Sequence, residues 1–145
     1  MLAYLNRSDD YYFVLEDRCT NQPEGTIAIY DVLDCECAEL GRWVLAQGSA
    51  GAYASLFLAW GVTFEQLGLQ WFYTRTVEEN LRVRKILEFT GLVRIEGFDK
   101  EVLLADGKHK LGEYRMDRRQ WLLSKDRLAS RVLGLTELLR SRLRK

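Results

Sequence analysis

Residues that build metal centres, disulfide frameworks and membrane spans are scarce in this sequence. The 145 residues include one histidine, one proline and three cysteines. A zinc site needs about four ligands, and an odd cysteine count argues against a disulfide framework. We therefore expect no metal site and reduced thiols at Cys19, Cys35 and Cys37. No apolar run approaches the ~20 residues that span a bilayer, and acidic residues near the start do not suit a signal peptide. This predicts a cytoplasmic protein with no membrane partner.

Charge is balanced overall but unevenly distributed. The chain holds 21 basic and 21 acidic side chains, yet residues 118–145 carry a net charge of +7 and the remainder a net charge of −7. A basic tail can bind nucleic acid or an acidic partner, but such runs more commonly form the solvated face of a helix. We therefore do not expect nucleic acid as a partner.

The spacing of apolar residues predicts one domain that mixes strands and helices. Aromatic and β-branched runs, which favour strands, cover 11–16, 26–30, 38–45, 71–77, 92–98, 103–104 and 114–116. Turn or loop signals cover 21–25, 31–37 and 106–107. Apolar spacings of three and four predict helices over 51–67, 80–91 and 119–143. Gly68 and Gly91 are the expected C-caps of the first two helices, and Asn80 is the expected N-cap of the second.

The predicted C-terminal helix carries a narrow apolar seam. Leu128, Val132, Leu135 and Leu139 follow one another at spacings of four, three and four, which places them on one face. Such a seam packs either on its own domain or on another chain. We expect a homodimer, and a division of the chain into a domain at 1–122 and a basic amphipathic helix at 123–145.

Small residues precede the first predicted helix. The segment 47–52 reads Gln-Gly-Ser-Ala-Gly-Ala. Small residues before a helix N-terminus expose backbone N–H groups and the positive end of the helix dipole, and both attract phosphate groups. Alone, such a segment is more often an ordinary turn, so the elements around it decide how it is interpreted.

The order of these elements resembles the acetyl-CoA-binding half of GNAT-superfamily N-acetyltransferases, in particular the RimJ/RimL-type branch. The segments that carry the resemblance are 39–45, 47–52, 64–69, 77–80 and 86–92, within a matching region of about 10–122. Residues 114–116, Tyr-Arg-Met, are also similar to amino-sugar N-acetyltransferases of nonulosonate pathways. The resemblance implies an α/β fold with a mixed, mostly antiparallel sheet and helices on both faces. It also implies acetyl-CoA as the cofactor.

The resemblance implies a set of cofactor-binding residues. The family pattern has Gln or Arg, two residues, Gly, one residue, then Gly or Ala; here Gln47 and Ala52 match, while Ala50 stands where Gly is usual. The implied contacts are Val44, Leu45, Gln47, Gly48, Ser49, Ala50, Gly51, Ala52, Tyr53, Asn80, Arg84 and Lys85.

The resemblance also suggests catalytic residues. Amine acetylation needs a base for the amine proton and an acid for the leaving thiolate. Glu39 lies where some members place the base, although it can equally be an edge-strand charge. Many members carry a Tyr acid where this chain has Leu87. The thiolate then leaves with help from water, from Tyr73 or without an acid, and Tyr114 is a further candidate. His109 either lines the acceptor site or lies on the surface.

The strand and two helices that begin this family's fold are not evident before residue 10. The acceptor wall is then missing, supplied by a partner, or part of a longer protein. We expect acetyl transfer to a small-molecule or protein amine, namely a protein N-terminus, a side-chain amine or an amino sugar. The alternative is a non-catalytic remnant that acts through its basic helix.

Overall fold

The computed structural model describes residues 10–34 and 36–143. Cys35, expected as a reduced thiol, lies outside the described residues. Six strands are present: β1 Tyr11–Asp17, β2 Gln22–Leu33, β3 Cys37–Leu45, β4 Trp71–Val77, β5 Val93–Leu104 and β6 Gly107–Asp117. The helices are α1 Ala52–Gly61, α2 Leu81–Phe89 and α3 Arg118–Leu143, and α1 continues as a wider π turn over Val62–Gln66.

The strands form one mixed sheet in the order β1-β2-β3-β4-β6-β5. Every neighbouring pair is antiparallel except β3 and β4, which are parallel. Parallel neighbours need a long crossover, and α1 supplies it. The predicted mixed, mostly antiparallel sheet is confirmed.

The two parallel strands pair over a short distance and then part. Their register runs from Cys37 opposite Trp71 to Glu39 opposite Tyr73. β3 continues six residues beyond Glu39 and β4 four beyond Tyr73. Over these lengths the two strands no longer pair with each other, although each still pairs with its other neighbour. Arg42 adopts a left-handed conformation, with φ of 49°, where the β2–β3 register also shifts. This bulge bends β3 and leaves an opening through the sheet.

One face of the sheet carries the hydrophobic core. Strand residues of that face join residues of all three helices in one cluster: Ile27, Ile29, Ala38, Leu40, Ala52, Leu56, Ala59, Trp60, Phe64, Leu69, Phe72, Ile86, Leu87, Leu92, Tyr114, Met116, Trp121, Leu128 and Val132. The expectation of helices on both faces is therefore wrong for the described residues, because each of their helices packs on this one face. The opposite face is called the open face below.

Helix α3 packs on its own domain. Leu128 and Val132 are buried in the common cluster, while Leu135 and Leu139 are half-buried. The apolar seam that suggested a homodimer is thus largely covered within one chain. The homodimer stays a prediction without that support. Within the described ranges, no helix is long and apolar enough to cross a membrane.

Local signals mark most element ends correctly. Gly68 and Gly91 have positive φ after their helices, and the Asn80 side chain accepts the Val83 N–H at 3.2 Å. The first hairpin turn differs from its predicted position at 21–25. It closes earlier, at Asn21 with φ of 53°, and Pro23 already pairs in β2. Pro23 is tolerated because it adjoins a bulge.

The packing of α3 on its own domain leads to a stability prediction. Leu128→Ala removes a core side chain, so the free energy of unfolding should fall by about 2–5 kcal/mol. Leu123→Ala, on the same helix at 80% exposure, should change it by less than about 0.5 kcal/mol. Urea unfolding at two protein concentrations measures both. Equal losses for the two variants would contradict the burial of Leu128 in the core. A Leu128 effect that depends on protein concentration would show that the seam is buried between chains.

Candidate functional site

A cavity of about 480 Å³ lies on the helix-covered side of the opening between β3 and β4. It is bounded by the end of β3, the loop before α1, the start of α2 and the end of α3. The lining residues are Trp43, Leu45, Ala46, Gln47, Gly48, Ser49, Ala52, Asn80, Arg82, Val83, Ile86, Leu139 and Arg142. The cavity therefore has an apolar wall and a polar rim that carries two arginines.

The loop before α1 presents backbone donors to this cavity. Gly48 adopts φ of 84°, a conformation that favours glycine. The N–H groups of Ala52, Tyr53 and Ala54 begin the helix, where no acceptor exists within the helix itself. Together with the helix dipole they form a site for an anion. The N–H of Gly51, the residue just before the helix, instead donates to the Ser49 hydroxyl oxygen at 3.0 Å.

A carboxylate lies close to the same loop. The Ser49 hydroxyl donates to Glu24 Oε2 at 2.7 Å, and the Ala46 N–H donates to the Glu24 carbonyl at 2.7 Å. Glu24 thus fixes the shape of the loop. It also brings a negative charge near the helix N-terminus, which weakens the attraction for an anion there.

Helix α2 divides its side chains between the cavity and the core. Asn80 and Arg82 line the cavity, whereas Arg84 does not. The Arg84 Nε–H donates to the Tyr114 hydroxyl at 2.9 Å, and its Nη1 donates to the Glu78 carbonyl at 3.0 Å. Lys85 is exposed and is not part of the lining. The structure therefore places Arg82, rather than Arg84 or Lys85, where a phosphate group would meet it.

The remaining expected cofactor residues are only partly brought together. Leu45, Gln47, Gly48, Ser49 and Ala52 line the cavity. The others are placed elsewhere: Val44 is exposed, Ala50 is buried, and the Tyr53 ring contacts Phe89 at 5.1 Å. Trp43 was not expected; its indole N–H donates to the Ser55 hydroxyl at 3.1 Å, which holds the ring as a cavity wall.

On the open face, Glu39 lies beside two tyrosines at the point where the strands part. Tyr73 is its register partner on β4, and Tyr30 is its register partner on β2, where the Glu39 carboxylate helps to raise the pKa of the Tyr30 hydroxyl. A Cβ at Gly41 would come within 2.7 Å of that hydroxyl, so glycine is needed there. Burial, and then the charge of Glu39, raise the pKa of both tyrosines above the usual range. Both hydroxyls therefore remain protonated at neutral pH.

An ion-pair network connects Glu39 to a buried carboxylate. Arg75 Nη1 donates to Glu39 at 2.9 Å, and Arg75 Nη2 donates to Glu113 at 2.9 Å. Glu113 is 1% exposed and also accepts from Arg115 at 2.6 Å. The Arg75 guanidinium lies 4.5 Å from the centre of the Tyr73 ring. Glu113 thus holds Arg75, and Arg75 orients both Glu39 and Tyr73.

Tyr114 and His109 are not part of this cluster. Strand alternation puts Tyr114 opposite Thr74, on the core face, where it is fully buried. His109 lies near the β5–β6 turn, with Nε2 at 2.9 Å from Asp106 Oδ1. The hydrogen bond with Asp106 raises the pKa of His109. No cluster of three potential metal ligands occurs among residues 10–34 and 36–143.

Several site residues were not predicted from the sequence, among them Arg75, Glu113, Tyr30 and Arg142. Arg75 follows Tyr73 by two positions on a strand, so the period of two places both on one face. The same rule separates Glu113 from Tyr114. Tyr30 required the β2–β3 register, which places it opposite Glu39. No local signal indicates Arg142, because its approach to the cavity depends on how α3 packs.

Comparison with known proteins identifies the fold. No family model matches the chain, and no curated protein matches it in sequence. The spermidine N-acetyltransferase SpeG from Vibrio cholerae, in complex with CoA and spermine, superposes with a TM-score of 0.75 at 18% identity, over 83% of this chain and 73% of that one.

Two further structures of the same enzyme agree. A complex with manganese ions gives a TM-score of 0.74 at 18% identity over 83% and 72% of the two chains. A chimera with hSSAT gives 0.74 at 19% over 83% and 73%. The chain therefore has the fold of GNAT-type N-acetyltransferases. The narrower resemblance to the RimJ/RimL-type branch receives no support from these neighbours.

The buried position of Glu113 leads to a second prediction. Glu113→Gln keeps the side-chain shape but removes the charge shared by Arg75 and Arg115, so the free energy of unfolding should fall by at least about 3 kcal/mol. Glu101→Gln, an exposed carboxylate on the neighbouring strand, should change it by less than about 0.5 kcal/mol. Denaturant unfolding compares the two. Similar small effects would mean that water replaces Glu113 at both arginines.

Proposed function

We propose that the protein is an acetyl-CoA-dependent N-acetyltransferase. One observation carries the proposal: the sheet opens beyond Glu39 and Tyr73, with an anion-binding cavity on one side and a carboxylate cluster on the other. An acyl carrier held in the cavity can reach the open face only through this gap. An amine that approaches the open face meets Glu39 at the same point.

The donor set of the cavity fits CoA. The start of α1 and the loop residues Gln47 and Gly48 offer backbone N–H groups for a pyrophosphate, whereas the Ser49 N–H already donates to the Ala46 carbonyl at 3.1 Å. Arg82 and Arg142 add positive charge. Trp43, Leu45 and Ile86 give an apolar wall suited to a pantetheine arm. The SpeG neighbour that contains CoA supports this assignment by analogy of fold.

Four residues of the open face have roles in the transfer. Acetyl-CoA, when bound, supplies the acetyl thioester. Glu39 accepts the proton of the amine, and Arg75 with Tyr30 fixes the orientation of its carboxylate. Tyr73 lies at the last paired position of β3 and β4, and its hydroxyl retains its proton and assists the departing sulfur. Tyr114 cannot share this role, because it faces the core and binds Arg84.

The acceptor is proposed to be a small molecule with one primary amine. The SpeG structure contains spermine, so a small-molecule amine suits this fold. A polyamine, however, needs carboxylates that are available to bind it, and Glu39 and Glu113 are already paired with arginines. An amino sugar therefore fits the described open face better than a polyamine. A protein N-terminus is the other class to test.

A non-catalytic remnant is the second candidate, and one observation favours it. Glu24 places a carboxylate near the α1 N-terminus, and the Gly51 N–H is taken by Ser49. Both features weaken an anion site. Calorimetry with CoA, followed by a transfer screen with an amino sugar, spermidine and a peptide, separates the candidates. Absence of CoA binding would exclude the enzyme.

The cofactor site can be tested with two substitutions of Gly48 that differ only in charge. A Cβ there meets no atom within 4 Å, and Asn and Asp tolerate left-handed backbone better than most residues. Gly48→Asp should reduce CoA affinity by at least about tenfold, since its charge repels phosphate. Gly48→Asn, equal in shape but neutral, should have little effect. Calorimetry measures both, and equal affinities would remove the phosphate from this loop.

The role of Glu39 can be tested in the same assay. Glu39→Gln keeps the size of the side chain and abolishes its basicity, so turnover should fall by about 10²–10⁴-fold with CoA affinity unchanged. Arg75→Lys serves as a comparison that leaves the carboxylate present while loosening its orientation, and it should cost less. Normal turnover by the Gln variant would assign Glu39 to structure and proton removal to water.

A further inference from the structure

The end of α3 forms part of the cavity wall. Leu139 and Arg142 both line the cavity, and a spacing of three places them on the same side of a helix. The seam of this helix was expected to pack either on its own domain or on a second chain. It packs on its own domain, and its last turns also contribute to the cavity wall.

Several contacts fix the helix in this position. Leu128 and Val132 are buried in the core, and the Arg131 guanidinium lies 3.9 Å from the centre of the Phe89 ring on α2. Near its end, Arg140 Nη2 donates to Asp17 Oδ2 at 2.9 Å. The other oxygen of the same carboxylate, Asp17 Oδ1, accepts the Cys19 N–H at 2.7 Å. The orientation of the carboxylate is therefore fixed by the hairpin turn as well as by Arg140. The last turn is therefore attached to the first hairpin.

The cavity brings two positive charges together. Arg82 on α2 and Arg142 on α3 line it from two different helices. Within the described part of the chain, neither guanidinium has a hydrogen-bond or ion-pair partner, and no lining residue is Asp or Glu. By contrast, Arg75, Arg94, Arg115 and Arg140 are each paired with a carboxylate. Two like charges that face one cavity without a counter-charge are suited to a bound phosphate group.

The pyrophosphate and this arginine pair require different donors. The start of α1 supplies backbone N–H groups, which suit a pyrophosphate. Arginine side chains from two helices suit a terminal phosphate monoester, which concentrates almost two negative charges on one phosphorus and can accept from two guanidinium groups. CoA contains one such group, the 3′-phosphate of its ribose.

We propose that α3 completes the cofactor site, and that Arg142 with Arg82 binds the 3′-phosphate of CoA. This inference rests on the proposed function, because it assigns part of the same site. It also gives a role to the basic C-terminal segment. The helix is then a wall of the cofactor site, and Arg142 is the basic residue of α3 that faces the cofactor.

The test compares CoA with dephospho-CoA, which lacks only the 3′-phosphate. Calorimetry should show that Arg142→Ala weakens CoA binding by at least about tenfold while affinity for dephospho-CoA stays unchanged. Arg82→Ala should behave in the same way. Arg127→Ala removes an exposed arginine from the same helix, away from the cavity, and should leave both affinities at the unmutated value. Unfolding curves for each variant check that the fold is kept.

Each other outcome has a definite meaning. Equal losses for the two ligands would place Arg142 at the pyrophosphate and overturn the assignment. An unchanged CoA affinity would remove Arg142 from the site but leave the proposed function intact. A higher affinity in the variant would show that α3 obstructs the cavity. If the unmutated protein binds neither ligand, the proposed function and this inference both fail.

Discussion

The parting of β3 from β4 is the constraint on which the site depends. In a continuous sheet, a layer of backbone hydrogen bonds would separate the helix-covered face from the open face. Here the pairing stops at Glu39 and Tyr73, and the bulge at Arg42 bends β3 away. A cavity on one face and a carboxylate on the other can then belong to a single site. Helix α1, which supplies the crossover between β3 and β4, also contributes its N-terminus to the cavity.

Among the described residues, charged side chains are paired on one side of this opening and unpaired on the other. On the open face, each described carboxylate of the cluster is neutralised by arginine, and Glu113 is buried between Arg75 and Arg115. Such a network fixes side-chain positions before any ligand arrives. In the cavity, Arg82 and Arg142 are left without a described counter-charge. The first arrangement is an ion-pair network that fixes side chains, whereas the second leaves two positive charges at one cavity.

Local patterns predicted the elements more reliably than their partners. Asn80, Gly68 and Gly91 mark helix ends through caps and positive φ, which involve only neighbouring residues. The first turn closes at Asn21, and the predicted strands 92–98 and 103–104 form the single strand β5. Both results depend on pairing between strands, which local patterns do not reveal. Tyr114 shows the same limit: one residue along β6 separates a buried core tyrosine from Glu113 on the open face. An error of one position on a strand reverses the face.

The amino-acid sequence by itself determined the kinds of elements, their order and the small-residue loop at 47–52, because apolar spacing, caps and turn residues act over a few positions. It also placed Glu39 on the strand that leads to the loop. Only the tertiary structure decided that Arg82 rather than Arg84 faces the cavity, that Tyr30 reaches Glu39, and that Arg142 approaches from α3. These positions depend on strand register and helix packing between residues far apart in the chain, where burial of the whole core outweighs any local preference.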